Sequence, residues 1–283
     1  MRQNGYIGRK MRVPKLKKSP AIVISAFGTS SRAQAPLEIF QKALEKQFPE
    51  HELFWSYSSN IICRKKSLPS LQETLARVEA AGFRKAVVQP LHIFPGTEYR
   101  QLAETCEYFP GLRIFLSETL LHRWNFVKKT LAEIEPEFLT PDEGLNILAL
   151  HGTPLTSDPV NIVYLGLEKL VADLYPNVLA VSLEGIPDHE AVFASIRSQN
   201  LSKKYREIKI IPMMYVAGMH AEEDLMGKKK SWCVELQSMG FSVECSMVQY
   251  QNEDYFKGLA YYPKIISFFM ERLQRSLELA RLY

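Results

Sequence analysis

Two histidines and a glutamate, His151, Glu184 and His220, each sit at the end of a short apolar run rich in β-branched residues. Two neutral imidazoles and a carboxylate suit a divalent first-row transition metal, because imidazole is a borderline ligand and the carboxylate offsets positive charge. They equally suit proton transfer, since an unperturbed imidazole titrates at about 6.5. A reaction that needs both metal delivery and proton removal would use the whole set. Glu184 lies between Leu183 and Gly185 in a run of little polarity, where a buried unpaired carboxylate is costly, and this predicts a partner for it. His220 and Asp224, four apart at a helix start, can share one face and a metal, although a solvated Ala-Glu-Glu-Asp turn accounts for Asp224 as well. His51, His122 and His189 read as hydrogen-bonded loop residues.

The elements that must position these side chains alternate from Pro20 onward between β-branched runs and helical periodicity, the pattern of parallel sheets with crossover helices. Strands are expected at residues 21–27, 52–57, 85–92 and 112–116, with His92 inside the third. Leu71, Leu75, Val78 and Ala81 mark an amphipathic helix. The series restarts at residues 145–150 and continues at 177–182, 208–215 and 241–244. A closing helix carries Ile265, Ile266, Phe269, Leu273 and Leu277. The expected fold is α/β: two similar doubly wound domains with parallel sheets, residues 20–140 and 141–283, and a cleft between them. Ligands of such sheets bind beyond the carboxyl ends of the strands, which would bring His151, Glu184 and His220 side by side.

The restart is also an internal repeat. Ile22-Val-Ile-Ser-Ala-Phe-Gly-Thr29 aligns with Asn146-Ile-Leu-Ala-Leu-His-Gly-Thr153, so that Gly28 pairs with Gly152, Thr29 with Thr153 and Phe27 with His151. Pro90-Leu-His-Ile-Phe-Pro-Gly96 aligns with Pro212-Met-Met-Tyr-Val-Ala-Gly218, and Glu98 then pairs with His220. Ser58-Ser-Asn60 meets Ser182-Leu-Glu184, pairing Asn60 with Glu184. Three blocks in the same order at nearly one offset indicate a duplicated α/β unit whose halves face each other, with titratable groups concentrated on one lip.

Composition excludes several other classes. At 283 residues, 46% apolar and 23% charged, the chain has the proportions of a globular protein and length for two cores. The net charge of +4 arises in the first 20 residues, which hold seven basic side chains and no acid; the remainder carries 28 basic and 31 acidic residues, net −3. A nucleic-acid-binding body is therefore not expected. Residues 1–19 read as a solvated, disordered basic segment without the apolar stretch of a signal peptide, so a cytoplasmic protein is expected, and no apolar run is long enough to span a membrane. Cys63, Cys106, Cys233 and Cys245 form no C-x-x-C pair and read as reduced and structural. Met226-Gly-Lys-Lys-Lys-Ser231 lacks the first glycine of a phosphate loop, because position 222 is Glu222, and no dinucleotide fingerprint or H-E-x-x-H is present. No nucleotide cofactor is expected.

Five segments, Ser25-Ala-Phe-Gly-Thr-Ser30, Gln89-Pro-Leu-His-Ile-Phe-Pro-Gly-Thr-Glu-Tyr99, Leu150-His-Gly-Thr153, Leu183-Glu-Gly-Ile-Pro187 and Ala217-Gly-Met-His-Ala-Glu-Glu-Asp224, resemble the anaerobic cobalt chelatase family, the sirohydrochlorin cobaltochelatases of the class II chelatases. The resemblance runs from about residue 20 to the end. It implies a bilobal enzyme that inserts Co²⁺ into sirohydrochlorin or precorrin-2 on the oxygen-independent route to cobalamin, with no cofactor beyond the substrate ion. By position it assigns His151 and His220 to metal binding and proton acceptance and Glu184 as the third active-site residue. His92, Glu98, Gly152 and Thr153 fall in the tetrapyrrole cleft. Sirohydrochlorin carries eight carboxylates, and Arg64, Lys65, Lys66 and Arg100 are candidate basic groups around it. Where the family is acidic after the second histidine, this chain reads Lys228-Lys-Lys230. Fe²⁺ or Ni²⁺ in place of Co²⁺, a tetrapyrrole or metal carrier without turnover, and a homo-oligomer stay open at this point.

Overall fold

The computed structural model describes residues 16–28 and 34–283. The basic segment and Thr29 therefore lie outside the described residues, wholly or nearly so, and so does the side chain of Asn60. Two four-stranded parallel sheets dominate. The first contains β1 (Ala21–Ala26), β2 (Leu53–Tyr57), β3 (Lys85–Pro90) and β4 (Arg113–Leu116) in the order β2-β1-β3-β4. The second contains β5 (Gly144–Gly152), β6 (Val178–Glu184), β7 (Glu207–Pro212) and β8 (Ser242–Cys245) in the order β6-β5-β7-β8. The two orders are the same, with the first strand of each set second in its sheet, which is the duplication expected from the repeat.

Strand β1 shows why the runs lack polar alternation. Ile22, Ile24 and Ala26 face one core while Ala21 and Val23 face another, and all five are buried. A strand covered on both faces is apolar throughout. The outer face of the first sheet is covered by α3 (Leu71–Ala80) and α4 (Thr97–Glu107). The outer face of the second is covered by α7 (His189–Ser198) and α8 (Trp232–Ser238). Both inner faces contribute to one continuous core shared with α1 (Ala35–Gln47), α5 (Trp124–Ile134), α6 (Val160–Leu174) and α9 (Pro263–Leu282). A short helix, α2 (Asn60–Lys66), follows β2.

The closing helix α9 packs on β3 and β4, in the first half of the chain. Arg272 donates to Glu118 Oε2 at 2.6 Å and to the Leu120 carbonyl at 2.7 Å, Ser117 Oγ donates to Ser276 Oγ at 2.8 Å, and Lys85 Nζ donates to the Ala280 carbonyl at 2.8 Å. The halves are thus joined by the last helix as well as by the linker.

Two strands escape the sequence pattern. β9 (Met247–Tyr250) and β10 (Glu253–Phe256) form an antiparallel hairpin. Its two turn residues, Gln251 and Asn252, both have positive φ, 51° and 65°, as a tight hairpin requires. Gln-Asn is a weaker signal than Asn-Gly, and neither strand has a buried residue, so no apolar run marked them.

Candidate active site

The carboxyl ends of both sheets open into one cleft with a cavity volume of about 710 Å³, lined from the first half by Phe27, Gly28, Ile62, His92 and Glu98 and from the second by His151, Glu184, Met214 and His220. Such a volume accommodates a ligand of drug size or larger, for which pockets run roughly 300–1,000 Å³.

Backbone geometry sets two of these residues side by side. His151 lies in β5 itself, one residue before its end, and Glu184 closes β6. Gly152 pairs with Glu184 in register, with φ of +76°, and a Cβ on it would stand 1.8 Å from the Glu184 carbonyl oxygen. Only glycine permits that approach. Thr153 N–H then donates to the same carbonyl at 3.0 Å, so the strand ends carrying His151 and Glu184 are locked together. Gly28, the repeat partner of Gly152, also has a positive φ, +95°.

The two imidazoles meet across the strand ends. The rings of His151 and His220 are 4.8 Å apart between centroids and perpendicular. His220 Nδ1 is 2.7 Å from Asp224 Oδ2, and His151 Nδ1 is 3.3 Å from the Gly152 carbonyl oxygen. Both partners accept, so in the neutral rings Nδ1 carries the proton and Nε2 keeps its lone pair. Asp224 thus acts on the ring of His220. The turn that follows, Ala221–Leu225, is π-type, with Met226 N–H donating to the Ala221 carbonyl at 3.1 Å.

The carboxylates and His92 depart from the sequence expectation in three ways. Glu184 is exposed at the cleft, and its carboxylate has no hydrogen-bond partner among the described residues, so the burial that predicted a partner does not occur. His92 lies two residues beyond β3 instead of inside it. Its Nε2 is 3.5 Å from Ser58 Oγ while Nδ1 is buried without a partner among the described residues, and burial pushes its pKa down to about 4. It is a neutral wall residue near pH 7. Glu98 opens into the cleft near the start of α4, where the surrounding walls desolvate it and raise its pKa; His151 opposes that shift and Asp158 adds to it. Among the described residues, no three His, Cys, Asp or Glu side chains are grouped so as to hold a metal ion: the histidines converge and Glu184 stands in the same cleft without completing a third ligand.

The remaining candidates are distributed as follows. Arg64, Lys65 and Lys66 are on α2, whose Ile62 lines the cleft. Arg100 Nη2 donates to Thr97 Oγ1 at 3.0 Å and is drawn toward Asp158. His51 is held by the Pro20 carbonyl at 2.9 Å, His122 makes an edge contact with Tyr99, and His189 opens α7 and stacks on Trp232; none of the three lines the cleft. Asp158 was not legible as a site residue. It sits in an unremarkable Thr-Ser-Asp-Pro turn, a signal only for a helix start.

Against this geometry, the sequence profile of the cobalt chelatase (CbiK) family matches residues 20–278. The chain belongs to that family. It is 26% identical over 242 residues to the sirohydrochlorin cobaltochelatase CbiKC of Nitratidesulfovibrio vulgaris, covering 81% of this chain and 82% of that one. To the sirohydrochlorin cobaltochelatase of Salmonella typhimurium it is 22% identical over 273 residues, covering 92% and 97%. Among solved structures, SirB from Bacillus subtilis with Fe³⁺ superposes with a TM-score of 0.62 at 14% identity, covering 92% of this chain and 96% of that chain. At that identity the likeness establishes the chelatase-like bilobal fold. The chelatase has no helix, among the described residues, long and apolar enough to cross a membrane.

Proposed function

We propose that this chelatase inserts Co²⁺ into sirohydrochlorin or precorrin-2 at the His151–His220 pair. The observation that carries the reading is the perpendicular pair of imidazoles, 4.8 Å apart, each with its Nδ1 engaged, at the mouth of a largely apolar interlobe cleft. Metal insertion must strip water from the ion, remove two pyrrolic protons and distort the macrocycle. Two neighbouring imidazoles lining one cleft can take the ion through Nε2 in place of water and accept protons as the pyrroles lose them. A site with two protein ligands close together leaves coordination positions free for the ring nitrogens, and it releases the ion more readily than a closed four-ligand site. That suits an ion that is cargo.

The carboxylates have separate tasks in this reading. Glu184 lowers the charge of the approaching cation from the β6 end. Glu98, with its raised pKa, accepts a proton closer to neutral pH than an ordinary glutamate would. Phe27, the repeat counterpart of His151 and 47% exposed, offers a flat apolar face to the macrocycle. Arg64, Lys65 and Lys66 on α2, whose Ile62 lines the cleft, and the Lys228–Lys230 run are the basic groups that would meet the acidic periphery of the tetrapyrrole. The four cysteines are free thiols, which supports placing the reaction in the cytoplasm.

An anaerobic absorbance assay tests the proposal. Protein at catalytic concentration is mixed with sirohydrochlorin and Co²⁺, with Fe²⁺ and Ni²⁺ in parallel and a protein-free control. Accelerated appearance of the metallated spectrum with Co²⁺ is expected. A spectral shift that only matches the protein concentration would mean a carrier instead.

A further inference from the structure

Asp158 lies between β5 and α6, and neither the repeat nor any motif marks it. Its side chain is 2% exposed, yet it borders the cleft. The carboxylate reaches across to the other half of the chain: Oδ2 accepts from Thr97 N at 3.0 Å and from Thr97 Oγ1 at 2.5 Å. Oδ1 accepts from Val160 N, in its own half, at 3.2 Å, and Arg100 Nη2 stands 3.6 Å from it. Burial alone would raise the pKa of this acid, but the donors and Arg100 outweigh it and hold the group ionised.

Thr97 is the first residue of α4 and Glu98 the second. Two of Asp158's hydrogen bonds therefore end on the residue next to Glu98, while the third fastens the start of α6. From α6, the Tyr164 hydroxyl donates to the Gly152 carbonyl at 3.5 Å, one residue from His151. We infer that Asp158 is a positioning residue that holds Glu98 beside His151 by tying the first turn of α4 to the first turn of α6 across the cleft. An asparagine could not do the same. All the groups facing the carboxylate are donors, and a carboxamide would turn its own N–H₂ toward one set of them.

The inference rests on the proposed participation of Glu98 and His151, and a double-mutant cycle separates the two claims. Wild type, Asp158→Asn, Glu98→Gln and the double variant are compared by Co²⁺ titration calorimetry without tetrapyrrole and by the anaerobic insertion assay, with melting curves for each. If Asp158 works through Glu98, Asp158→Asn lowers Co²⁺ affinity or insertion rate about 10- to 100-fold in the wild-type background and by no more than about 2-fold in the Glu98→Gln background. Equal losses in both backgrounds, or an unimpaired Asp158→Asn enzyme, overturn it. Thr97→Val, which removes one of the two donors, runs the same cycle if Asp158→Asn does not fold. A wild type that binds Co²⁺ but inserts none overturns the functional reading, while the affinity cycle still decides the role of Asp158, because the charge of Glu98 acts on His151.

Discussion

At equivalent strand ends the first lobe presents Phe27 and the second His151; six residues apart after the third strand of each sheet, the first lobe carries His92 and Glu98 and the second Met214 and His220. The backbones agree down to the positive φ of Gly28 and Gly152. The side chains do not. The second lobe brings two imidazoles whose Nε2 atoms have no partner among the described residues into the cleft, whereas the first keeps its one nearby imidazole, His92, desolvated and neutral. The same strand-end geometry thus supplies a lip bearing two imidazoles on one side and mainly a wall on the other. The duplicated fold provides the cleft, and divergence at a few positions divides the work.

The largest expected effect tests that division directly. His151→Ala and His220→Ala should each slow Co²⁺ insertion by about 10³-fold, read by anaerobic absorbance, while His92→Leu retains most activity. Comparable losses in all three would erase the contrast between the lobes.

Next comes the polar support that the first sheet receives from α9. Arg272→Met leaves Glu118, whose pKa is held down to about 2 chiefly by its hydrogen bonds from Arg123, without its second cation, and frees the Leu120 carbonyl. A loss of roughly 3 kcal/mol is expected in denaturant unfolding. A change below about 1 kcal/mol would show that the polar contacts of Arg272 add little to the hold on the helix.

His92 sharpens the comparison through pH. Its pKa falls from 6.5 in the unfolded chain to about 4 in the fold. Between those values the unfolded state binds more protons, so stability drops as pH is lowered through the window and drops no further below it. From pH 7 to 5 the loss attributable to this group is roughly 2 kcal/mol, and His92→Leu should shrink the measured pH dependence by that amount. An unchanged slope would mean that His92 reaches solvent.

The smallest effect concerns the wall. Phe27→Ala should raise KM for sirohydrochlorin by about fivefold with little change in kcat, since a stacking face contributes on the order of 1 kcal/mol to binding. A fall in kcat instead would make Phe27 a participant in distortion of the ring.

Much of this was legible in residue order because the signals are local. The central strands β1 and β5, buried along almost their whole length, are nearly continuous apolar runs, and all eight sheet strands lie within a few residues of their expected bounds. The three-block repeat placed His151, Glu184 and His220 at strand ends, and they do share one cleft. Asp158, the burial of His92 and the solvent exposure of Glu184 were not legible. Each depends on which distant segment lies opposite, and local polarity was a poor guide at Leu183-Glu184-Gly185, where the strand ends at the cleft rather than in a core.

By itself the sequence determined the duplicated α/β plan, the strand ends and the chemical types gathered there, because alternation, helical period and glycine at a positive-φ turn are consequences of a few neighbouring residues. Only the tertiary structure decided that α9 returns to the first sheet, that Asp158 reaches across to Thr97, and that the two imidazoles converge while Glu184 stands clear. Those outcomes follow from contacts between residues tens to more than a hundred positions apart, where packing of the shared core, and no local preference, fixes what meets what.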